Sequence, residues 1–167
     1  SDNNDRKKKS AHNYNSSEDS FSRQSNEINL INDYNVKYVT LNRKGYEFIH
    51  NRNYISGLEL FKKCYELSIK DLHDNLKEIN SLMNISICEY YNGNFSESYK
   101  LISKAKVLYN SHSLGANIIS PKQRLLLTLK LFINSSLINL SINKYTDSKD
   151  DIRFLLSIIR QESDYKI

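Results

Sequence analysis

The feature that most constrains this chain is its scarcity of residues that interrupt helices: its 167 residues include four glycines and one proline, Pro121. A β-sandwich or barrel of this length would need turn residues about every ten positions. Long segments rich in Leu, Ile, Lys and Glu, with few breakers between them, are typical of helices. The sequence therefore predicts an all-α fold.

The composition is that of one ordinary domain, with 39% hydrophobic and 26% charged residues, which is enough to build a core. Asn, Lys, Ile and Tyr are abundant, which indicates an AT-rich source genome. An isolated Asn or Lys therefore carries little weight as a functional signal.

Residues 1–33 differ in composition from the rest of the chain. They contain many Ser and Asn residues, a basic run from Arg6 to Lys9, and few large apolar side chains. Such a segment cannot bury enough apolar surface to offset the entropy lost on ordering. We predict a disordered polar N-terminal tail over residues 1–33, a helical domain over residues 34–162, and a C-terminal tail over residues 163–167.

Six helices are predicted, because apolar residues recur at three- and four-residue steps in six segments. The clearest start is Ser120-Pro121, an N-cap serine followed by proline at the first helical position. The other helices are expected to start near Tyr34, after Asn53, after Asp74 or Asn75, after Asn94 and near Ser148. Residues 111–119 are predicted to form a loop.

Three short connectors repeat a polar residue followed by an aromatic one: Asn53-Tyr54, Asn94-Phe95 and Lys144-Tyr145. Each joins a longer apolar helix to a second amphipathic helix. A single hairpin of this kind cannot bury its apolar face, so consecutive hairpins are expected to stack and share a core. The predicted architecture is a set of stacked antiparallel helical hairpins.

The hairpins resemble the tetratricopeptide-repeat family, in which small residues mark close helix contacts and large residues fill the space between helices. The matching residues are Leu41, Gly45, Phe48, Gly57, Phe61 and Cys64 in the first hairpin, and Leu82, Ile85, Ser86, Ser98, Ile102 and Ala105 in the second. In the third they are Phe132, Ser136, Ser148, Ile152 and Leu155. The resemblance implies about three divergent, long-period repeats that form part of a right-handed superhelix.

The resemblance also implies a concave groove, lined by the first helix of each hairpin, that holds an extended or helical peptide. Asn side chains there can pair with peptide backbone, and Lys or Arg with acidic groups. The groove candidates are Asn42, Arg43, Tyr46, His50, Asn80, Met83, Asn84, Ile87, Tyr91, Lys130 and Asn134, with Val39, Ile133 and Leu137 beside them.

The last helix offers a second possible contact surface. Its apolar stripe comprises Ile152, Leu155, Leu156 and Ile159, so we expect these residues to be buried. Phe154 and Ile158 lie off that stripe. They are expected either to be covered by the fifth helix or to be exposed to a further repeat or a partner.

The favoured functional hypothesis is an adaptor or scaffold module that binds another protein, and the positive net charge favours an acidic partner. The alternatives are a structural helical subunit of a larger assembly and a co-chaperone domain that binds chaperone tails. Family members that bind such tails hold a terminal carboxylate with five Lys, Asn and Arg side chains, of which only Asn84 and Lys130 are present. We therefore predict no tight binding of acidic chaperone tails.

Catalysis and other ligands are not predicted. The sequence contains no phosphate-binding loop, zinc-protease motif, Cys-x-x-Cys pair or nucleophile elbow. The net charge of +5 is scattered rather than clustered, so we predict no nucleic-acid partner. Cys64 and Cys88 are expected to be buried free thiols in a reducing, cytoplasmic setting. We predict no cofactor, metal site or membrane insertion; the oligomeric state stays open.

Overall fold

The structure is a computed structural model that describes residues 5–111 and 120–164, with side chains for residues 23–111 and 120–161. Its elements are the helices α1 (Asp5–His50), α2 (Tyr54–Lys70), α3 (Asn75–Tyr91), α4 (Phe95–Ser111), α5 (Pro121–Ser141) and α6 (Tyr145–Asp164). The prediction of an all-α fold with six helices is confirmed. Residues 112–119 of the predicted loop and residues 165–167 of the predicted C-terminal tail lie outside the described residues.

The chain divides into two compact units, Ser1–Lys37 and Tyr38–Ile167. The division falls inside α1, because α1 begins at Asp5 rather than near Tyr34. No glycine or proline precedes Gly45 in α1, so nothing in the local sequence stops the helix from extending toward the N-terminus. In the first unit, the side chains of residues 23–33 are all exposed. The disorder of this segment in solution stays a prediction.

The three hairpin connectors adopt the same backbone geometry. Each has three residues, and the middle one has a positive φ: 58° at Arg52, 82° at Gly93 and 61° at Asn143. In each connector the third residue donates its backbone N–H to the carbonyl five residues earlier in the chain. The acceptors are Phe48, Glu89 and Asn139, with N–O distances of 2.8 Å. These bonds close the first helix of each hairpin. The second unit is therefore built from three hairpins with a common turn.

A pair of small residues lies where the two helices of each hairpin approach most closely. A Cβ added to Gly57 would lie 3.4 Å from the Gly45 carbonyl oxygen. The Ser98 hydroxyl donates to the Ser86 carbonyl at 2.7 Å. In the third hairpin, the hydroxyls of Ser136 and Ser148 are 2.9 Å apart. The small residues expected at close helix contacts therefore do lie at them.

The second unit has one main core shared by α3, α4, α5 and α6. From α2 onward each helix packs against the next, and α3 also contacts α5. The main core comprises Ile79, Leu82, Met83, Ile102, Ala105, Leu127, Leu131, Phe132, Ile138 and Leu155. A smaller cluster of Phe61, Ile85 and Cys88 joins α2 to α3. Consecutive hairpins thus share their apolar surface, as stacking requires.

Helix starts agree with the sequence at four of the six predicted positions, since α2, α3, α4 and α5 begin at Tyr54, Asn75, Phe95 and Pro121. Asn53, Asp74 and Ser120 are N-caps, and Ser120 forms a capping box with Gln123. Asn94 precedes α4 as predicted, but its side chain donates to Glu89 and does not cap the helix. Ser148 was expected to start the last helix, yet α6 begins at Tyr145 and Ser148 lies buried inside it. The bond between Ser136 and Ser148 explains why a serine occupies that interior position.

Candidate functional site

A hydrogen-bonded network joins α1 to α3 through three of the predicted groove residues. The Tyr46 hydroxyl donates to Asn84 Oδ1 at 3.0 Å, and Asn84 Nδ2 donates to Asn42 Oδ1 at 3.2 Å. Burial raises the pKa of the Tyr46 hydroxyl, and its bond with Asn84 opposes that rise. Both polar ends of the Asn84 side chain are thus occupied within the fold.

A second set of hydrogen bonds, made by Tyr38, joins α1 to the N-terminal part of α3. The Tyr38 hydroxyl donates to the Lys77 carbonyl at 3.1 Å and lies 3.2 Å from the Ser81 hydroxyl. Burial raises the pKa of Tyr38 well above its ordinary value, so the phenol stays a neutral donor. Two tyrosines, Tyr38 and Tyr46, therefore set the spacing of the first helices of the first two hairpins.

A pocket of about 240 Å³ lies between the first helices of the second and third hairpins. It brings together the predicted groove residues Asn80 of α3 and Lys130 of α5. Four residues that we did not predict complete its lining: Leu76, Gln123, Leu126 and Leu127. The pocket thus combines an apolar wall with two amides and one ammonium group, a lining suited to a ligand of mixed character.

Lys130 is the charged group of this pocket, and it lies in a segment of the chain that is rich in basic residues. Within the described part of the chain, its ammonium forms neither an ion pair nor a hydrogen bond. Residues 98–146 include seven Lys and Arg residues and no Asp or Glu. No carboxylate of this long segment therefore competes with a ligand for Lys130, and an acidic ligand group is favoured there.

A second depression lies at the C-terminal end of α1. It is lined by the predicted residues Arg43, Tyr46 and His50, together with Glu47, Ile49 and Asn51. Arg43 pairs with Glu47 at 3.4 Å, and both side chains are largely exposed. Exposed pairs of this kind contribute little to stability, so the Arg43 guanidinium can exchange partners at little cost.

Six predicted groove residues lie partly or wholly away from the accessible surface, and Asn42 and Asn80 are two of the half-buried ones. Met83 and Asn84 are each only 1% exposed, so neither can contact a peptide, and their assignment to the groove lining is corrected. Met83 turns into the core because α5 covers that side of α3. Ile87 and Asn134 are half-buried.

The remaining groove candidates are accessible. Tyr91 is exposed, and its ring stacks on that of Tyr54 with centroids 4.6 Å apart. Val39, Ile133 and Leu137 are also exposed. The predicted residues therefore do not form one continuous lining; they separate into the α3–α5 pocket, the depression at the end of α1, and a buried network between them.

A buried polar cluster that we did not predict lies between α4, α5 and α6. Asp151 is 3% exposed. It accepts hydrogen bonds from Ser135 at 2.6 Å and Asn139 at 3.0 Å, and it pairs with Lys106 of α4. Asn139 Oδ1 is buried without a hydrogen-bond partner among the described residues. The only sequence signal was Asn139 at a position where the repeat pattern has an aromatic residue.

Both cysteines are buried free thiols, as predicted. Burial raises the pKa of Cys64 to about 11 and that of Cys88, with a further contribution from Glu89, to about 12. Because the thiolate is the reactive form, both side chains are poor nucleophiles at neutral pH. Among the described residues, no group of three or more His, Cys, Asp or Glu is placed to hold a metal ion.

None of the helices in residues 5–111 and 120–164 combines the length and the apolar character that crossing a bilayer requires.

No protein-family model matches this chain, and no curated protein or solved structure matches it significantly.

Proposed function

We propose that the chain is a non-enzymatic protein–protein interaction module that binds an acidic segment of another protein. The observation that carries this proposal is the α3–α5 pocket, in which the unpaired Lys130 lies beside Asn80 and exposed Leu126. An aspartate or glutamate of the ligand would pair with Lys130, and a neighbouring apolar side chain would cover Leu126 and Leu76. The Asn80 amide would bond the ligand backbone.

The resemblance to tetratricopeptide repeats supports the same proposal, because the pocket lies between first helices, where that family holds its peptides. Three hairpins with a common turn and a small-residue contact are consistent with a divergent member. We also propose a cytoplasmic, reducing location, since both thiols are free and buried.

We do not propose that the ligand is a chaperone tail. Of the two residues that matched the tail-binding pattern, Asn84 is buried and bonded to Tyr46 and Asn42. Lys130 alone remains accessible, and one ammonium group does not make the multidentate grip that a terminal carboxylate needs. A peptide ending in Glu-Glu-Val-Asp that bound with micromolar affinity and lost binding in Lys130→Ala would contradict this conclusion.

The pocket can be tested by selecting a displayed peptide library on the immobilised full chain and measuring the affinity of the selected peptides by fluorescence polarisation. We expect peptides with an acidic residue next to an apolar one. Lys130→Glu should weaken their binding about tenfold or more, because a charge-assisted hydrogen bond contributes about 1.5–3 kcal/mol. Leu126→Glu should weaken it by a similar factor.

Matched controls lie on exposed faces outside the pocket. Lys62→Glu on α2 changes the net charge of the chain by the same amount as Lys130→Glu. Val107→Glu on α4, like Leu126→Glu, replaces an exposed apolar side chain with a carboxylate. Both should leave affinity unchanged. Equal losses in Lys130→Glu and Lys62→Glu would reduce the effect to net charge and overturn the pocket as the binding site.

A further inference from the structure

The third hairpin leaves exposed the surface that the first two hairpins bury. Counted from the aromatic residue that opens each second helix, the eighth residue is Phe61 in α2, Ile102 in α4 and Ile152 in α6. Phe61 and Ile102 are 0% exposed, whereas Ile152 is 44% exposed. Phe61 packs in a cluster with Ile85 and Cys88 of α3, and Ile102 packs in the main core, to which α5 contributes. No described helix occupies the equivalent place on α6.

The first helices show the same contrast. Met83 of α3 and Ile133 of α5 both lie nine residues before the first residue of their connectors. Met83 is 1% exposed because it packs in the core that α5 completes, whereas Ile133 is 54% exposed. The exposed apolar residues of α5 and α6 thus occupy the positions at which each earlier hairpin receives another helix.

These residues form one surface, because the bond between Ser136 and Ser148 joins α5 to α6 along its centre. On α5, Leu129, Ile133 and Leu140 lie at helical steps from Ser136. On α6, Ile152 and Leu156 follow Ser148 in the same way. The pairing of Asp151 with Lys106 places α4 on a different side of α6, because Asp151 is rotated by about 100° from Ile152. We call this surface the end face: Ile133, Leu140, Ile152 and Leu156, which are exposed, and Leu129, which is half-buried.

The predicted burial of α6 is therefore corrected. Of its apolar stripe only Leu155 is buried, while Ile152, Leu156 and Ile159 are about half exposed. Phe154, which we placed off the stripe, packs on Phe132 with ring centroids 4.4 Å apart. The side of α6 that is buried therefore faces α4 and α5. Ile152 and Leu156, which were predicted to lie in the core, are exposed on the end face instead.

The flanks of the end face carry cations. Lys122 lies one heptad before Leu129, Lys149 lies three residues before Ile152, and Arg160 lies four after Leu156; all three are exposed. α5 itself contains no acidic residue. A helix that covers this surface would be favoured if it had an apolar stripe flanked by carboxylates.

The chain itself contains such a helix. Residues 24–36 of α1, which we call the arm, include Glu27 and Asp33 and no Lys or Arg. Ile28 and Ile31 of the arm are 53% and 48% exposed. With Gln24 and Asn35 they form a stripe at positions i, i+4, i+7 and i+11. Leu127, Leu131, Asn134 and Ile138, with which α5 faces the preceding hairpin, have the same spacing.

We propose that the end face of one copy binds the arm of a second copy, so that the chain self-associates through a helix-on-hairpin contact. Both surfaces are apolar and largely exposed in the single chain, and the carboxylates of the arm are opposite in charge to Lys122, Lys149 and Arg160. Burial of Ile28 and Ile31 against the end face would stabilise the contact, and the arm carboxylates would pair with Lys122, Lys149 and Arg160. The contact does not itself use Lys130 or Asn80, although Leu126 and Lys130 of the pocket lie on the same face of α5 as Leu129 and Ile133.

The test measures the mass of the full chain by sedimentation velocity over a concentration series, with circular dichroism to check folding. Wild type should associate, and association should weaken as salt is added. Ile28→Glu in the arm and Ile133→Glu in the end face should each weaken it about tenfold or more. Leu156→Glu serves as a second end-face variant, and Val107→Glu on α4 as the matched control that leaves association unchanged.

Mixing the variants identifies the occupant. The Ile133→Glu chain has an intact arm and the Ile28→Glu chain an intact end face, so an equimolar mixture should form a 1:1 complex. A monomeric wild type at every concentration overturns the proposal. Association lost in Ile133→Glu but kept in Ile28→Glu also overturns it, because the end face would then bind something other than the arm. A third outcome also overturns the proposal: the chain is monomeric, and Ile28→Glu makes the amides of α5 and α6 exchange faster. The arm would then bind the end face of its own chain.

Discussion

Gly45 of α1 lies directly beneath the ring of Phe61 in α2, so that a Cβ added to Gly45 would come within 2.7 Å of two ring carbons. Phe61 is fully buried, and its ring also meets that of Tyr46 edge-on, with centroids 5.5 Å apart. The absence of a side chain at Gly45 therefore lets α1 approach α2 closely enough to place Tyr46 beside Asn84.

Gly45→Ala is expected to destabilise the protein by about 1–2 kcal/mol. Overpacking a filled core costs about 1–3 kcal/mol, and the higher helix propensity of alanine offsets up to about 1 kcal/mol of that. Urea denaturation followed by circular dichroism measures the change. Gly57→Ala should cost less, because its nearest neighbours lie at 3.4 Å. Adding Phe61→Leu should remove most of the penalty of Gly45→Ala, and a more stable Gly45→Ala would show that the ring moves freely.

Tyr46→Phe is expected to cost about 1–2 kcal/mol, because it leaves the buried Asn84 Oδ1 without its donor. Tyr145→Phe is the matched control. The Tyr145 hydroxyl donates to Asn143 at the surface, so its loss should change the free energy of unfolding by less than about 0.5 kcal/mol. Equal effects of the two substitutions in urea denaturation would mean that the α1–α3 network contributes no stability.

The fold could be predicted from local signals. Ser120-Pro121 and Asn53 mark helix starts whatever surrounds them, since capping depends on neighbours within a few residues. The pairing of Gly45 with Gly57 and of Ser86 with Ser98 also followed from the repeat pattern, because small residues at these steps require a close helix contact. These signals lie within single hairpins and need no knowledge of how hairpins are placed against each other.

The site was harder to predict because the exposure of a helical residue depends on its neighbours. Met83 lies on the first-helix face expected to line the groove, but α5 covers it. Asp151 reads as an ordinary first-turn acid, yet Lys106, 45 positions away, becomes its partner. Position within a repeat therefore indicates which side of a helix a residue occupies, while burial is decided by the next hairpin.

Asp151→Ala is expected to cost about 3–5 kcal/mol, because breaking a buried ion pair leaves its partner without compensation. Ser135 and Asn139 would also lose their acceptor. Asp150→Ala, one position away, removes only an exposed pair with Arg153 and should cost less than about 1 kcal/mol. The comparison uses urea midpoints at neutral pH. A loss below about 1 kcal/mol in Asp151→Ala would contradict a stabilising role for the cluster.

Alkaline pH is expected to destabilise the fold through its two thiols. Their ordinary pKa is 9.0, and burial raises it to about 11 for Cys64 and about 12 for Cys88. Below pH 9 both folded and unfolded chains keep the thiol protons, so the thiols add no pH dependence. Between pH 9 and about 11 only the unfolded chain releases them, so the free energy of unfolding falls by up to about 1.4 kcal/mol per pH unit for each thiol.

Urea denaturation at pH 8, 9 and 10 measures this slope. The Cys88→Ala variant should show a shallower slope than wild type above pH 9, although it starts from a lower stability. Alkylation gives a separate check, because both thiols should react with iodoacetamide at neutral pH only when the chain is unfolded. An equal slope in wild type and Cys88→Ala would mean that this thiol ionises as readily in the folded chain as in the unfolded one.

The arm should be the least protected helical segment in hydrogen exchange at low concentration. Residues 24–33 bury no side chain, and a helix without tertiary contacts is only marginally stable in water. Amides of residues 24–36 should therefore exchange at least about a hundredfold faster than those of Ile79–Cys88 in α3, which form part of the core. If the arm binds the end face of a second copy, protection of residues 24–36 and of α6 should rise together with concentration, and Ile133→Glu should abolish both increases. Strong protection of the arm in the monomer would mean that α1 is stabilised along its whole length without a second copy.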